Sequence, residues 1–294
     1  MPSLKDIKRR IKSVKNTQQI TKAMKMVSAA KLKRAQDEIV AARPYAEKIN
    51  ELTASLAAST SAEGHPLLAR NEGNKVALIV MTSDRGLCGS FNAGLIRTVE
   101  RYIRVSNDAQ LSFYFIGKRG MEYFKKRGLS IIKERPVGGA RPKYSGAAEI
   151  AQEVMRMFLA GELDEVNLVY SEFQSALTQR PVIQRLLPIS PAKPAQGAAA
   201  PSPEVQSADI EAIFEPSKEE VLAALLPKYV DVQVFRAMLE SSASEHGARM
   251  TSMDAASKNA SEMIGGLTLK YNRLRQAAIT KELMEIIGGA EALK

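Results

Sequence analysis

One turn, SDRGLCGSFNAG at residues 83–94, contains glycines, a charged pair and the one cysteine of the chain. A glycine-containing loop that opens a helix can bind phosphate through its backbone N–H groups. The turn matches neither the dinucleotide-binding pattern G-x-G-x-x-G nor the phosphate-loop pattern G-x-x-x-x-G-K-[ST]. We therefore expect Gly86, Gly89 and Gly94 to serve turn geometry and close packing, and we predict no bound nucleotide or other cofactor.

Cys88 could act as a nucleophile if its position near a helix start lowered its pKa. An enzyme built around Asp84, Arg85 and Cys88 would also need a base. The chain has two histidines, His65 in a linker-like segment and His246 in a long helical pattern, and neither is an obvious base. With one cysteine and two histidines, a metal site of the usual Cys or His type is not expected. We predict a structural thiol, with no catalytic and no metal-binding residue.

The excess positive charge is confined to the N-terminal segment. Residues 1–34 contain eleven basic residues and one acid, Asp6, and this imbalance equals the whole net charge of +10. Such a segment favours an acidic partner, which can be nucleic acid, anionic lipid or an acidic protein surface. It has no aromatic residue for base stacking, and its bases surround the predicted helix instead of following one face.

The basic segment belongs to one long helix, which the sequence predicts over residues 3–58 with Ser3 as its N-cap. Alternating steps of four and three predict a coiled-coil seam with apolar ends and a polar middle. The seam positions are Ile7, Ile11, Val14, Gln18, Thr21, Lys25, Ser28, Leu32, Ala35, Ile39, Ala42, Ala46, Ile49, Thr53 and Leu56. Pro44 lies inside the pattern, and because the register continues past it we predict a kink and not a stop.

Strand-like and helix-like segments alternate over residues 75–188, after a linker at residues 59–74. The alternation predicts βαβ units and a central Rossmann-like α/β domain with a mainly parallel sheet covered on both faces. Residues 189–207 are rich in proline, alanine and serine, which predicts a variable loop.

Residues 208–294 predict a short helix at 217–226, capped by Ser217, and then a very long helix with Pro227 in its first turn and Gly288 and Gly289 at its end. The middle of the long helix is rich in small residues, which favours tight packing against the first helix. From Met250 to Ala278, steps of three and four residues fall almost entirely on apolar or small side chains, which predicts a seam there. Since both long helices adjoin the α/β domain, their pairing must be antiparallel. The predicted fold class is α/β, with a long antiparallel two-helix coiled coil made by the N- and C-terminal helices.

Three stretches of the sequence resemble the gamma subunit of F-type ATP synthase. They are IKRRIKSVKNTQQITKAMKMVSAAKLKRAQ with the later RPYAEKI, SDRGLCGSFNAGL, and EHGARMTSMDAASKNASEMIGGLTLKYNRLRQAAITKELMEIIGGAEAL. The resemblance implies a non-catalytic central-stalk rotor that couples ion flow through the membrane c-ring to ATP synthesis or hydrolysis at the beta subunits. Its implied partners are three alpha and three beta subunits, the epsilon subunit and the c-ring, with one copy of the chain per complex.

The resemblance also implies contact residues. Matching the motifs places Lys22, Met24 and Lys25 against loops of the beta subunits. The contacts that it implies with the alpha and beta subunits near the C-terminus are Arg275, Gln276, Thr280, Glu282, Ile286 and Ile287. Glu215, in a Glu-Pro turn, is implied to lie near the c-ring and epsilon.

The longest apolar run, at residues 76–81, is far shorter than the ~20 residues of a membrane-spanning helix, and residues 1–30 hold no apolar segment of a signal peptide. Together with these observations, the resemblance implies a peripheral location on the cytoplasmic side of a bacterial inner membrane, and a processed mitochondrial chain stays open as the other location. The alternative is a basic coiled-coil protein that binds nucleic acid or anionic membrane through residues 1–34.

Overall fold

Two very long helices, α1 (Leu4–Ser59) and α5 (Lys218–Glu291), flank an α/β segment in the chain order. A computed structural model describes residues 3–59, 65–69, 71, 73–106, 109–137, 141–189 and 217–291. The elements between the two helices are β1 (Lys75–Met81), α2 (Phe91–Val105), β2 (Gln110–Ile116), α3 (Lys118–Lys125), β3 (Ile131–Arg135), α4 (Tyr144–Leu159), β4 (Glu165–Phe173) and β5 (Gln179–Leu187).

Helix α1 confirms the predicted seam. Every position of the series from Ile7 to Leu56 is buried or half-buried, on a helix that is otherwise mostly exposed. Ser3 caps the helix, because its hydroxyl accepts the backbone N–H of Asp6 at 3.2 Å and its own N–H is held by the Asp6 carboxylate. The helix continues through Pro44, which is exposed, so the lost backbone hydrogen bond faces solvent.

The sheet has five strands in the order β3-β2-β1-β4-β5, parallel except for the β4–β5 pair. One face is covered by α2 and α3, whose Leu95 and Phe124 pack with Phe113 and Phe115. A second core contains α4, the last buried turn of α1 and the first turns of α5. The central strand β1 is buried along its whole length after Lys75, as expected for a parallel strand covered on both faces. The predicted fold class is confirmed.

Helix α5 corrects the expected break at Pro227. One helix runs from Lys218 to Glu291 with Pro227 inside it. Ser217 caps it as predicted, since its hydroxyl accepts the N–H of Glu220. Leu226 and Val230, on either side of the proline, are fully buried in the second core, and this packing keeps the chain helical where the proline removes a hydrogen bond. Gly288 and Gly289 also lie within the helix and do not end it.

The described chain divides into two compact units, one made of Met1–Ala30 with Arg249–Lys294 and one of Lys31–Ala248. In the second unit α1 and α5 run antiparallel. Asn50 bonds Gln233, whereas the earlier residue Glu38 lines a cavity with the later residue His246.

The small residues of α5 at 241–248 have a different partner from the one expected. Ser241 and Ser244 donate hydrogen bonds to the carbonyl oxygens of Met81 and Ser171, at 3.4 and 2.9 Å. A Cβ added to Gly247 would lie 3.4 Å from both Phe173 and Ala176. The expectation that this small stretch packs tightly on α1 is wrong here, because these side chains let α5 approach the strand ends and the β4–β5 turn.

Candidate partner-binding surfaces

The basic segment presents its charge to solvent within the Met1–Ala30 and Arg249–Lys294 unit. The lysines and arginines from Lys5 to Lys22 are all exposed, because none of them occupies a seam position of the helix. Lys22 is exposed and Met24 is half-buried. Exposed cations surrounding a helix are suited to an acidic partner that approaches from more than one side.

Lys25 has a partner within the same unit. Its Nζ lies 2.6 Å from Oδ1 of Asp254 on α5, and Nζ of Lys258 lies 3.0 Å from Oδ2 of the same carboxylate. Hydrogen bonds from these two lysines lower the pKa of Asp254. Sequence reasoning did not single out Asp254, because a pairing between positions so distant in the chain leaves no local signal.

The C-terminal part of α5 changes from a seam to a fully exposed helix. The predicted 3,4 positions from Met250 to Ala278 are all buried or half-buried, and every residue from 279 to 289 is exposed. The predicted contact residues Arg275, Gln276, Thr280 and Glu282 are exposed. Large apolar side chains are exposed beside them, at Ile279, Leu283, Met284, Ile286 and Ile287. Glu215 lies outside the described residues.

The turn at residues 83–94 is held by its own side chains. Ser83 donates to the carbonyl of Arg85 at 2.6 Å, and the Asn92 amide bonds Ser83 and lies 3.2 Å from the buried sulfur of Cys88. Asp84 accepts the N–H groups of Lys118 and Val137, which ties the turn to two other loops. Gly89 has a φ of +56°. These contacts support a structural role for the turn and for Cys88.

A chain of polar side chains joins the sheet to both long helices in the Lys31–Ala248 unit. The hydroxyl of Tyr170 donates to Gln184, the amide of Gln184 reaches Gln233 on α5, and Gln233 donates to Asn50 on α1 at 2.8 Å. Buried hydrogen bonds have a stricter geometry than apolar contacts, so this chain fixes how the helices are seated on β4 and β5.

Beside the hydrogen-bonded side chains from Tyr170 to Asn50, the Arg236 guanidinium donates a hydrogen bond to Glu240 at 2.9 Å. Burial raises the pKa of Glu240 despite this pair, and one of its carboxylate oxygens is buried with no hydrogen-bond partner among the described residues.

A cavity of about 600 Å³ lies in the same unit. Its charged lining is Lys31, Arg34, Asp37, Glu38 and Arg141, and it also includes His246. Arg141 pairs with Glu38 across the cavity wall. No local sequence pattern indicates this cavity, because its walls come from three distant segments.

Among the described residues, no helix has an apolar stretch of the length and hydropathy that crossing a bilayer requires. In the same residues, no cluster of three or more His, Cys, Asp or Glu side chains could hold a metal ion.

Two solved structures that are similar to this chain come from mitochondrial ATP synthases. A chain in the central stalk and c-ring assembly of the Tetrahymena thermophila mitochondrial ATP synthase is 25% identical, with a TM-score of 0.59 over 81% of this chain and 99% of that one. A chain of the Euglena gracilis mitochondrial enzyme gives a TM-score of 0.67 at 17% identity, over 99% of this chain and 94% of that one.

The family model described as ATP synthase matches residues 3–293. The ATP synthase gamma chain of Geotalea uraniireducens is 53% identical over 296 residues, and that of Desulforamulus reducens is 51% identical over 295, with both chains covered completely in each case. This chain therefore belongs to the ATP synthase gamma chain family.

Proposed function

We propose that this chain is the central-stalk rotor subunit of an F-type ATP synthase. In that role it couples ion flow through the membrane c-ring to ATP synthesis or hydrolysis at the beta subunits by rotating. The observation that carries the proposal is the similarity to ATP synthase gamma chains over the full length, at 53% and 51% sequence identity. The rotor parts named in the similar solved structures support it.

The partners in this proposal are three alpha subunits, three beta subunits, epsilon and the c-ring, with one copy of this chain in each complex. The chain itself performs no bond chemistry, and ATP is made and cleaved on the beta subunits. We place the complex at a bacterial inner membrane, with this chain peripheral on the cytoplasmic side. Residues 75–188 form the domain that sits with epsilon on the c-ring and is turned by the ring, with Glu215 near the c-ring and epsilon.

The contact residues are part of the same proposal. Lys22, Met24 and Lys25 face beta loops, and the contacts near the C-terminus are Arg275, Gln276, Thr280, Glu282, Ile286 and Ile287. Their exposure supports the proposal for all of them except Met24 and Lys25, which are half-buried. Exposed charged contacts are individually weak, about 0–1 kcal/mol each, which suits contacts that form and break at every rotational step.

The first experiment mixes the purified full-length chain with alpha and beta subunits that lack a gamma chain, and records assembly mass and ATPase rate together. One copy bound per six large subunits, with a rise in cooperative ATPase, is the expected result. Failure to form a complex, together with binding to nucleic acid or anionic vesicles that weakens steeply with salt, would instead support the alternative of a basic binding protein.

A second experiment tests the contact residues. The double change Arg275→Glu with Gln276→Ala is expected to lower proton-driven ATP synthesis in reconstituted vesicles without lowering the melting temperature of the chain. Arg273→Glu is the matched control, because Arg273 is exposed on the same helix and is not a proposed contact. Unchanged synthesis in the double variant would remove Arg275 and Gln276 from the contact set.

A further inference from the structure

The seam of the Met1–Ala30 and Arg249–Lys294 unit is poor in large apolar side chains in its middle. The α1 positions there are Gln18, Thr21, Lys25 and Ser28, and the facing α5 positions are Met253, Ser257 and Ala260, of which Met253 is the one large apolar side chain that is buried. A coiled coil fixes its axial register mainly by inserting large apolar knobs into holes on the facing helix. Small and polar seam side chains supply few such knobs, so this region needs another device to fix its register.

The ion pair between Lys25 and Asp254 is placed to be that device. Lys25 occupies a seam position, and its Nζ reaches across to the α5 carboxylate at 2.6 Å. Both side chains are partly shielded, with 43% and 33% of their surfaces exposed. A single polar or charged contact at a seam position can specify the register of two helices even where it adds little to stability.

Asp254 is itself held in place. Lys258, one turn further along α5, binds the second carboxylate oxygen at 3.0 Å, so both oxygens have a cation. An i,i+4 ion pair within one helix does not constrain the position of the neighbouring helix. The cross-helix bond to Lys25 and the intrahelical bond to Lys258 can therefore be separated by mutation.

We propose that Asp254 is a positioning residue, which fixes α1 against α5 by holding Lys25 and so sets the axial level at which Lys22 and Met24 are presented. The role of those two residues rests on the proposed function. The register of α1 against α5 does not rest on the proposed function. The claim about the register and the claim about Lys22 and Met24 can therefore be tested separately.

The structural test is amide hydrogen exchange on the full-length chain. Asp254→Asn and Lys25→Ala should each increase exchange at residues 18–28 and 250–260 by roughly two- to fivefold, the range expected for an exposed or half-exposed ion pair. The double variant should exchange no faster than the faster single variant, because both changes remove one interaction. Lys25→Arg should retain protection, and Lys258→Met, which breaks only the intrahelical pair, is the matched control.

The functional test places the same variants in the reconstituted complex and measures ATP synthesis and ATP hydrolysis separately. Asp254→Asn should lower the ratio of synthesis to hydrolysis at least twofold, whereas Lys258→Met should leave it unchanged. Wild-type exchange in Asp254→Asn, or additive effects in the double variant, would overturn the register role. Altered exchange with an unchanged ratio would overturn the link to presentation of Lys22 and Met24. If the wild-type chain failed to assemble, the rotor proposal would fail while the exchange result still decided the register.

Discussion

Gly117 ends strand β2 with a φ of +95°, a conformation that side chains with a Cβ rarely adopt. A Cβ at this position would overlap the backbone carbonyl of Thr82, which belongs to the segment following β1. The close approach lets the Thr82 hydroxyl bond both the carbonyl of Gly117 and the N–H of Gly120. The glycine is therefore required by packing and by conformation together.

We expect Gly117→Ala to lower the free energy of unfolding by about 3 kcal/mol or more, because backbone strain and a steric clash add. Gly128→Ala is the control. Gly128 also has a positive φ, +70°, but an added Cβ meets nothing within 4 Å, so strain alone should cost about 1 kcal/mol. Urea unfolding of the two variants measures the difference, and equal losses would contradict the clash.

Glu240 makes the free energy of unfolding of the Lys31–Ala248 unit depend on pH, and the direction of that dependence follows from its pKa. Burial raises its pKa above the ordinary 4.5, while the Arg236 guanidinium only partly opposes this shift. The neighbouring Glu172 adds to the increase. Between the two pKa values the native state binds more protons than the unfolded state, so the free energy of unfolding falls as pH rises through that window.

We expect Glu240→Gln to flatten this fall by about 1.4 kcal/mol for each pH unit by which burial raises the pKa. The measurement compares urea midpoints from pH 4.5 to pH 8 with those of the unchanged chain. Glu122→Gln serves as control, because Glu122 is exposed. An unchanged dependence in Glu240→Gln over this range would show that the ion pair with Arg236 offsets the effect of burial.

The residue scale also shows the limit of sequence reasoning. Exposure could be predicted for Lys22 and Arg275, because a helical period assigns each position to the seam or to solvent. The partner of Lys25 could not be predicted, since Asp254 is 229 residues away. The missing base predicted a structural role for Cys88, whereas its contacts with Asn92 and Ser83 depend on turn geometry and could not be predicted.

At the scale of the elements, α5 shows that local sequence patterns predict whether a segment is a helix or a strand. They predict less well where the element begins and ends and which other elements it packs against. The 3,4 spacing predicted the seam from Met250 to Ala278 because periodicity is a property of the local sequence. Pro227 was misread as a boundary because the buried residues on both sides of it, Leu226 and Val230, contribute packing that propensity does not include. The small residues at 241–248 indicated close approach without indicating what they approach.

Ser244 tests the contact between α5 and the sheet. Its side chain is fully buried and donates to the carbonyl of Ser171 at 2.9 Å. Ser244→Leu should cost about 2–4 kcal/mol, since it overpacks the site and leaves that carbonyl unbonded. Ser242→Leu should cost less than 1 kcal/mol, because Ser242 is half-buried and lines the 600 Å³ cavity. Thermal unfolding of both variants compares them, and similar losses would argue against the tight contact.

At the scale of the whole molecule, net charge governs the speed of association more than it governs the fold. The excess of +10 comes from residues 1–34 alone. Neutralising the exposed residues Lys5, Lys8, Lys12 and Lys15 with glutamine should slow association with alpha and beta subunits roughly tenfold at low salt and reduce its salt dependence. Stopped-flow association at two ionic strengths provides the measurement. The matched control changes four basic residues that are exposed on or beside α3: Lys118, Arg119, Lys125 and Lys126.

The fold class could be predicted from the sequence because each part has its own local pattern. The seams repeat every 3.5 residues, and the residues that form the sheet show strand-like and helix-like segments in alternation. The cavity and the polar chain from Tyr170 to Asn50 were inaccessible, because each requires the tertiary placement of segments that are far apart in the chain.

The exposed end of α5 has a consequence for the life of the chain before assembly. Residues 279–289 display five large apolar side chains on a helix that has no seam there: Ile279, Leu283, Met284, Ile286 and Ile287. Contiguous exposed apolar surface promotes self-association and recognition by chaperones and proteases. A copy made in excess of its partners would therefore be the least durable form of the molecule, and its removal would help the cell to keep the subunit numbers matched.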